Sequence, residues 1–213
     1  MEMLQPLTVS LIAGEDQQVF QLTQELIRQK VAAQTILNEG LLKGMNEVGE
    51  KFKNHEIFLP EVLLAAKAMY AGMNLLKPLL IHQGSIHSKG KIVLGTIRGD
   101  LHDIGKNLVG IMLRGAGFEV IDLGNDVAPE NFVATAQNQQ ATVIGMSALL
   151  TTTMWGMKEV IDLLKKQQLH PQIKTIIGGA PVSEDFAREI GADAYGFDAS
   201  HSIERLKELI KVN

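Results

Sequence analysis

Lys91-Ile-Val-Leu-Gly-Thr-Ile-Arg-Gly-Asp-Leu-His-Asp-Ile-Gly105 is the stretch that decides the fold. Its first seven residues form an apolar, β-rich run that reads as a strand, and a helical pattern takes over from Ile104. The same alternation continues downstream. Strands read at 91–97, 119–123, 143–147, 174–177 and 194–197, with helical patterns at 104–115, 130–140, 154–168, 184–190 and 202–211. Five strand–helix units in succession imply a parallel sheet with right-handed crossovers and helices on both faces.

Upstream the periodicity is different. Glu15 to Lys30 carries Val19, Phe20, Leu22, Leu26 and Ile27 at helical spacing, and Ile36, Leu37, Leu41, Met45, Val48 and Phe52 form a second such pattern. A third begins after Leu59-Pro60 and runs through Val62, Leu63, Ala66, Met69 and Met73, with Pro78 expected to end or bend it near Leu79. The polar Ser85-Ile-His-Ser-Lys-Gly90 reads as a join. The expected organisation is therefore a helical bundle of three or four helices over 1–84, a linker over 85–90, and an α/β domain over 91–213. That second domain is a flavodoxin/Rossmann-like five-stranded parallel sheet.

Bulk properties narrow the function classes. The 213 residues are 46% hydrophobic and 21% charged, enough for a core without covalent staples. A formal charge of −4 and the absence of any Lys/Arg cluster argue against a nucleic-acid groove. There is no cysteine, hence no disulfide framework, thiolate nucleophile or iron–sulfur ligand set. Met1-Glu-Met-Leu-Gln-Pro6 lacks the features of a signal peptide, and no apolar run reaches the length of a membrane span. The expectation is a soluble cytoplasmic protein without membrane or nucleic-acid partners.

Candidate site residues gather at strand ends. His102 lies in the turn after the first strand, at the carboxyl edge where open α/β sheets bind ligands. Asp100 can hold one imidazole nitrogen while the other faces a metal. By itself Asp-x-His-x-x-Gly would occur by chance in roughly 2% of chains of this composition. Asp100 or Asp103 could equally cap the helix beginning near Ile104, and His102 could be an ordinary loop histidine. Gly99 to Lys106 is not a phosphate loop, because the glycine spacing is wrong and Asn107 stands where a Ser/Thr is needed. Two further motifs change the weighing: Ser147-x-Leu149 ends the third strand and Gly178-Gly179 the fourth. The first, third and fourth strands are neighbours in a doubly wound sheet, so these ends line one crevice. Coincidence of both motifs at fixed offsets is expected roughly once in ten thousand such chains.

These three motifs in register resemble the cobalamin-binding signature of methionine synthase, base-off mutases and corrinoid methyl-carrier proteins. The segment from Val48-Gly-Glu-Lys-Phe52 to Ile57-Phe-Leu-Pro-Glu-Val62 is similar to the helical cap of methionine synthase. The bundle-plus-one-domain layout resembles the corrinoid proteins of anaerobic methyltransferase systems. The resemblance implies His102 as lower axial ligand of cobalt, with Asp100 accepting a hydrogen bond from its other ring nitrogen. Thr153 stands where the family has a serine hydroxyl. Asp103, Ile104 and Gly105 complete the cofactor-binding turn, and Ser147, Leu149, Thr151, Gly178 and Gly179 are implied to hold the displaced nucleotide tail. Phe52, Leu59 and Val62 are implied to cover the methyl-bearing face, although their spacing also suits plain bundle core. The cofactor would be cobalamin in methylated or Co(I)/Co(II) form. The partners would be a substrate-specific methyltransferase, an acceptor methyltransferase and a reductive activase. The donor would be a methylated amine, betaine, methanol or aryl methyl ether, and the acceptor a thiol or tetrahydrofolate. A cobalamin-dependent sensor module and the small subunit of a carbon-skeleton mutase are the alternatives. The first lacks a basic DNA-binding unit in this chain, and the second lacks a use for the bundle.

Overall fold

Amphipathic segments assemble the N-terminal unit in a computed structural model, which describes residues 2–82 and 88–210. Helix α1 (Gln5–Ile12) buries Leu7 and Leu11, and α2 (Asp16–Arg28) buries Val19 and Leu26. A third rod is continuous but changes its winding: α3 (Ala33–Thr35) passes through a π-helical stretch, Ile36–Leu42, into α4 (Lys43–Lys53). The π winding is not readable from side-chain spacing. The hydroxyl of Thr8 on α1 donates to the Gly40 carbonyl within it at 3.3 Å. The fourth rod, α5 (Leu59–His82), carries Pro78 inside it. Of the two expected outcomes, Pro78 therefore does not end the helix. The residue lacks only its own N–H, and buried Leu76 and Leu80 keep the flanking turns packed.

The second unit is the parallel sheet. Strand β1 (Lys91–Thr96) leads to α6 (Ile104–Gly115), β2 (Glu119–Asp122), α7 (Pro129–Asn138) and β3 (Val143–Ser147). Then follow α8 (Gly156–Lys166), β4 (Lys174–Gly178), α9 (Glu184–Ile190), β5 (Ala194–Gly196) and α10 (Ala199–Ile210). The order is β2-β1-β3-β4-β5 with every pairing parallel. Ile92, Val93 and Leu94 are buried without alternation, as expected of a central strand covered on both faces. One large core cluster joins Val93, Ile144 and Ile177 of the sheet to Phe132 of α7, Val160 and Leu164 of α8, and Ile190 of α9. Local chemistry sets several boundaries. Pro129 opens α7, the Ser183 hydroxyl accepts the Phe186 N–H at the start of α9, and Gly191 ends α9 in a left-handed conformation. The last helix begins at Ala199, three residues before the expected 202.

The chain leaves β1 for β2 on one side and returns to β3 on the other, so the crevice between the carboxyl ends of β1 and β3 is the topological switch point. At the amino ends of β4 and β5, Asp193 accepts from the Thr175 N–H (2.8 Å) and hydroxyl (3.1 Å) and pairs with Lys174 at 3.1 Å and His170 at 3.2 Å. Residues 85–87 of the expected linker and Lys211 of the last helical pattern lie outside the described residues. Among the described residues, no helix is long and apolar enough to cross a membrane.

Candidate functional site

At the switch point the backbone runs from β1 into a tight loop, residues 97–103, that presents Asp100 inward and His102 outward. The Asp100 side chain is fully buried, whereas the His102 ring is 52% exposed. Asp100 Oδ1 lies 2.7 Å from His102 Nδ1 and also accepts the His102 backbone N–H at 3.0 Å. Its Oδ2 accepts the N–H groups of Leu149 (2.7 Å) and Leu150 (3.2 Å), together with the Thr153 hydroxyl (3.0 Å). Burial works against the charged carboxylate. The donors from Leu149, His102 and Thr153 outweigh it and hold the carboxyl far below the usual carboxylate range. An ionised carboxylate only accepts, so Nδ1 carries the proton of this bond, and in the neutral ring it is Nε2 that has the lone pair. Nε2 has no hydrogen-bond partner among the described residues.

The surroundings of that lone pair are open and apolar. Leu101 and Ile104 are 70% and 75% exposed, and Leu149, Leu150 and Trp155 also present apolar surface. A side chain built on Gly105 would meet nothing within 4 Å. Among the described residues, no group of three or more His, Asp or Glu side chains could hold a metal ion. The lone imidazole is suited to a metal that brings its other ligands in a flat macrocycle, and the exposed leucines and isoleucine are suited to the macrocycle. A corrin cobalt thus fits the residues present.

The other expected residues are distributed as follows. Ser147 ends β3 in register with Gly178 of β4. A Cβ on Gly178 would lie 2.6 Å from the Gly196 carbonyl oxygen, and one on Gly179 would lie 1.8 Å from that of Ala148. Gly179 also has φ +126°. Both glycines are thus required by contacts between adjoining strand ends as well as by any slot for a ligand. Thr151 and Leu149 are exposed, and Asp103 is partly buried with its carbonyl accepting the Asn107 N–H at 2.7 Å. In the helical unit Phe52 and Leu59 are partly exposed, while Val62 has no exposed surface.

Several residues around the loop were not marked by sequence reasoning. Thr96 donates to the His102 carbonyl at 2.9 Å, Asn125 Nδ2 donates to the Leu101 carbonyl at 3.2 Å, and Asp126 Oδ1 accepts the Gly99 N–H at 2.7 Å. Lys106, with a side chain only 1% exposed, donates to both carboxylate oxygens of Asp122 (2.6 and 2.8 Å) and to Asn107 Oδ1 (2.7 Å). The available signals were the turn-forming Gly124-Asn-Asp126 at the carboxyl end of β2 and a lysine among the apolar positions of α6.

Comparison with known proteins agrees with this geometry. Residues 90–206 match a family model described as a B12 binding domain, and residues 3–77 match a second model of the same description. A corrinoid protein of Desulfitobacterium hafniense is 42% identical over 99% of this chain and 98% of its own. A dimethylamine corrinoid protein of Methanosarcina barkeri is 43% identical over 98% of each. In the crystal structure of the methanol:cobalamin methyltransferase complex of Methanosarcina barkeri, a chain 31% identical aligns with TM-score 0.90 over 100% of this chain and 81% of its own.

Proposed function

Because the chain belongs to the B12-binding corrinoid proteins, we propose that it holds a corrinoid through His102 and takes its methyl group from a methylated amine. It is a corrinoid carrier that shuttles a methyl group on cobalt between methyltransferase partners, and not a stand-alone catalyst. When bound, the corrinoid supplies a cobalt centre nucleophilic enough to take the methyl group and labile enough to give it up.

The residues of the chain have the following parts in this reading. His102 would hold the cobalt through Nε2, and Asp100 would fix the tautomer and raise the basicity of the ring. Thr153 and the N–H groups of Leu149 and Leu150 hold the Asp100 carboxylate in place. Ile104, Leu101 and the open position at Gly105 receive the macrocycle, with Asp103 shaping the turn. Ser147, Leu149, Thr151, Gly178 and Gly179 accept the nucleotide tail between β3 and β4. Phe52 and Leu59 shield the methyl-bearing face, and the fully buried Val62 serves the packing of the helical unit. A reductive activase and a cytoplasmic location belong to the same reading. The amine donor is supported by the dimethylamine relative.

The observation that carries the ligand assignment is the 2.7 Å Asp100–His102 pair, which holds the ring through Nδ1 and leaves Nε2 for a ligand. Titration of the apoprotein with hydroxocobalamin, followed by visible absorbance, tests it. Wild type should give a His-ligated spectrum and His102→Ala should not. Failure of wild type to bind would refute the reading. Methylation of the reduced holoprotein by dimethylamine with its methyltransferase, and not by methanol with its own, is the result expected for the donor.

A further inference from the structure

We infer that the β2–α7 loop, residues 123–128, is the positioning element for His102 and that Asp126 is its principal residue. The inference rests on His102 being the lower ligand. Only Nδ1 of the half-exposed imidazole is tied down, so the direction of Nε2 depends on the backbone from Gly99 to His102 as much as on Asp100. That backbone is gripped from outside. Asp126 Oδ1 accepts the Gly99 N–H at 2.7 Å, and the Asp126 N–H donates to the Asp100 carbonyl at 3.0 Å. Asn125 reaches the Leu101 carbonyl, and the Val127 N–H binds the Thr96 carbonyl at 3.0 Å. Thr96, whose own N–H donates to the Gly124 carbonyl at 3.0 Å, in turn holds the His102 carbonyl. Three consecutive carbonyls before the helix are thus held by side chains or backbone of this loop and of the strand it brackets.

The conformation of Asp126 argues for a dedicated use. Its φ of +52° is one that side-chain-bearing residues rarely adopt, with Asn and Asp the most tolerant. In that conformation its N–H and carboxylate address adjacent residues, Gly99 and Asp100, in a two-point clamp. The base of the loop is fixed as well: Asp122 receives the buried Lys106 ammonium from the first turn of α6 and the Gly124 N–H at 2.9 Å. Loosening the clamp should let the histidine swing while the Leu149 and Leu150 N–H groups and the Thr153 hydroxyl still hold the Asp100 carboxylate.

The test uses holoprotein reduced to Co(II) and labelled with 15N-histidine, so that nitrogen splitting in the electron paramagnetic resonance spectrum reports protein imidazole on cobalt. Asp126→Ala should lower the ratio of His-on to His-off cobalt about tenfold, the scale of one charge-assisted hydrogen bond. Asp126→Asn keeps the acceptor and the backbone preference and should restore the wild-type ratio. Asn125→Ala should give a smaller loss and serves as the test if Asp126→Ala does not take up cofactor. In the apoprotein, hydrogen exchange of the Gly99 amide should quicken in Asp126→Ala by more than that of the β1 amides, which report any general loss of stability. Wild-type splitting in both Asp126→Ala and Asn125→Ala would overturn the clamp alone. Absence of label-dependent splitting in wild type would instead overturn the His102 assignment.

Discussion

Replacing Asp100 with Asn removes one acceptor while keeping the size and shape of the side chain, and the five donors around the carboxylate decide the outcome. If the new NH2 takes the Oδ2 position, it faces the N–H groups of Leu149 and Leu150 and orphans both. Each orphan costs about 1–3 kcal/mol. If it takes the Oδ1 position, it orphans only the His102 N–H and meets the imidazole, which can respond by changing tautomer. The second arrangement is the cheaper by roughly one orphaned N–H, about 1–3 kcal/mol. In it Nδ1 accepts from the amide and Nε2 carries the proton, so the lone pair intended for cobalt is lost. The expected result is a folded Asp100→Asn apoprotein whose His102 is protonated on Nε2 by nitrogen NMR. Its affinity for His-ligated corrinoid should fall about 10–100-fold, the usual effect of removing a carboxylate behind a metal-bound histidine. An unprotonated Nε2 with undiminished His ligation would refute this account of the pair.

Thr153→Val should weaken the support of Asp100, costing about 1–3 kcal/mol of stability by denaturant titration, while Thr153→Ser should be close to neutral. The glycines should separate by cause: Gly105→Ala, in open space, should leave the apoprotein as stable or raise it by up to about 1 kcal/mol while impairing corrinoid uptake. Gly179→Ala should destabilise the apoprotein by at least about 1–3 kcal/mol from backbone conformation alone, read from its melting temperature. Asp193 and Asp100 both have folded-state pKa values held below the ordinary one, because their hydrogen-bond donors outweigh burial. Their stabilisation is present above the ordinary carboxylate value of 3.8 and is lost as pH falls from there toward the depressed values. Asp193→Asn should therefore flatten the acid limb of the stability curve, and an unchanged limb would count against its network.

The sheet was legible because each strand is a short apolar run bounded by turn residues, and β1, β2 and β3 start where periodicity places them. The π-helical Ile36–Leu42 was not, since its apolar Ile36, Leu37 and Leu41 recur at ordinary helical spacing. Which of ending or bending Pro78 would bring was not legible, because buried Leu76 and Leu80 on either side of it are what carry the helix through. In the site, Asp100, His102 and Thr153 stood out through motif register. Asp126, Asn125 and Thr96 did not, because their contribution is to backbone groups of a distant loop, and such pairings leave no periodic trace in sequence. The burial of Lys106 was not legible either, because its partner Asp122 lies sixteen residues away at the end of β2.

The margins of the sheet have a bearing on how the protein meets others. One outer strand, β5, has three residues, and the other, β2, has four with an acidic residue at each end. A strand so short or so charged is a poor template for edge-to-edge pairing with another chain. Collisions with copies of itself are thereby discouraged along the flanks.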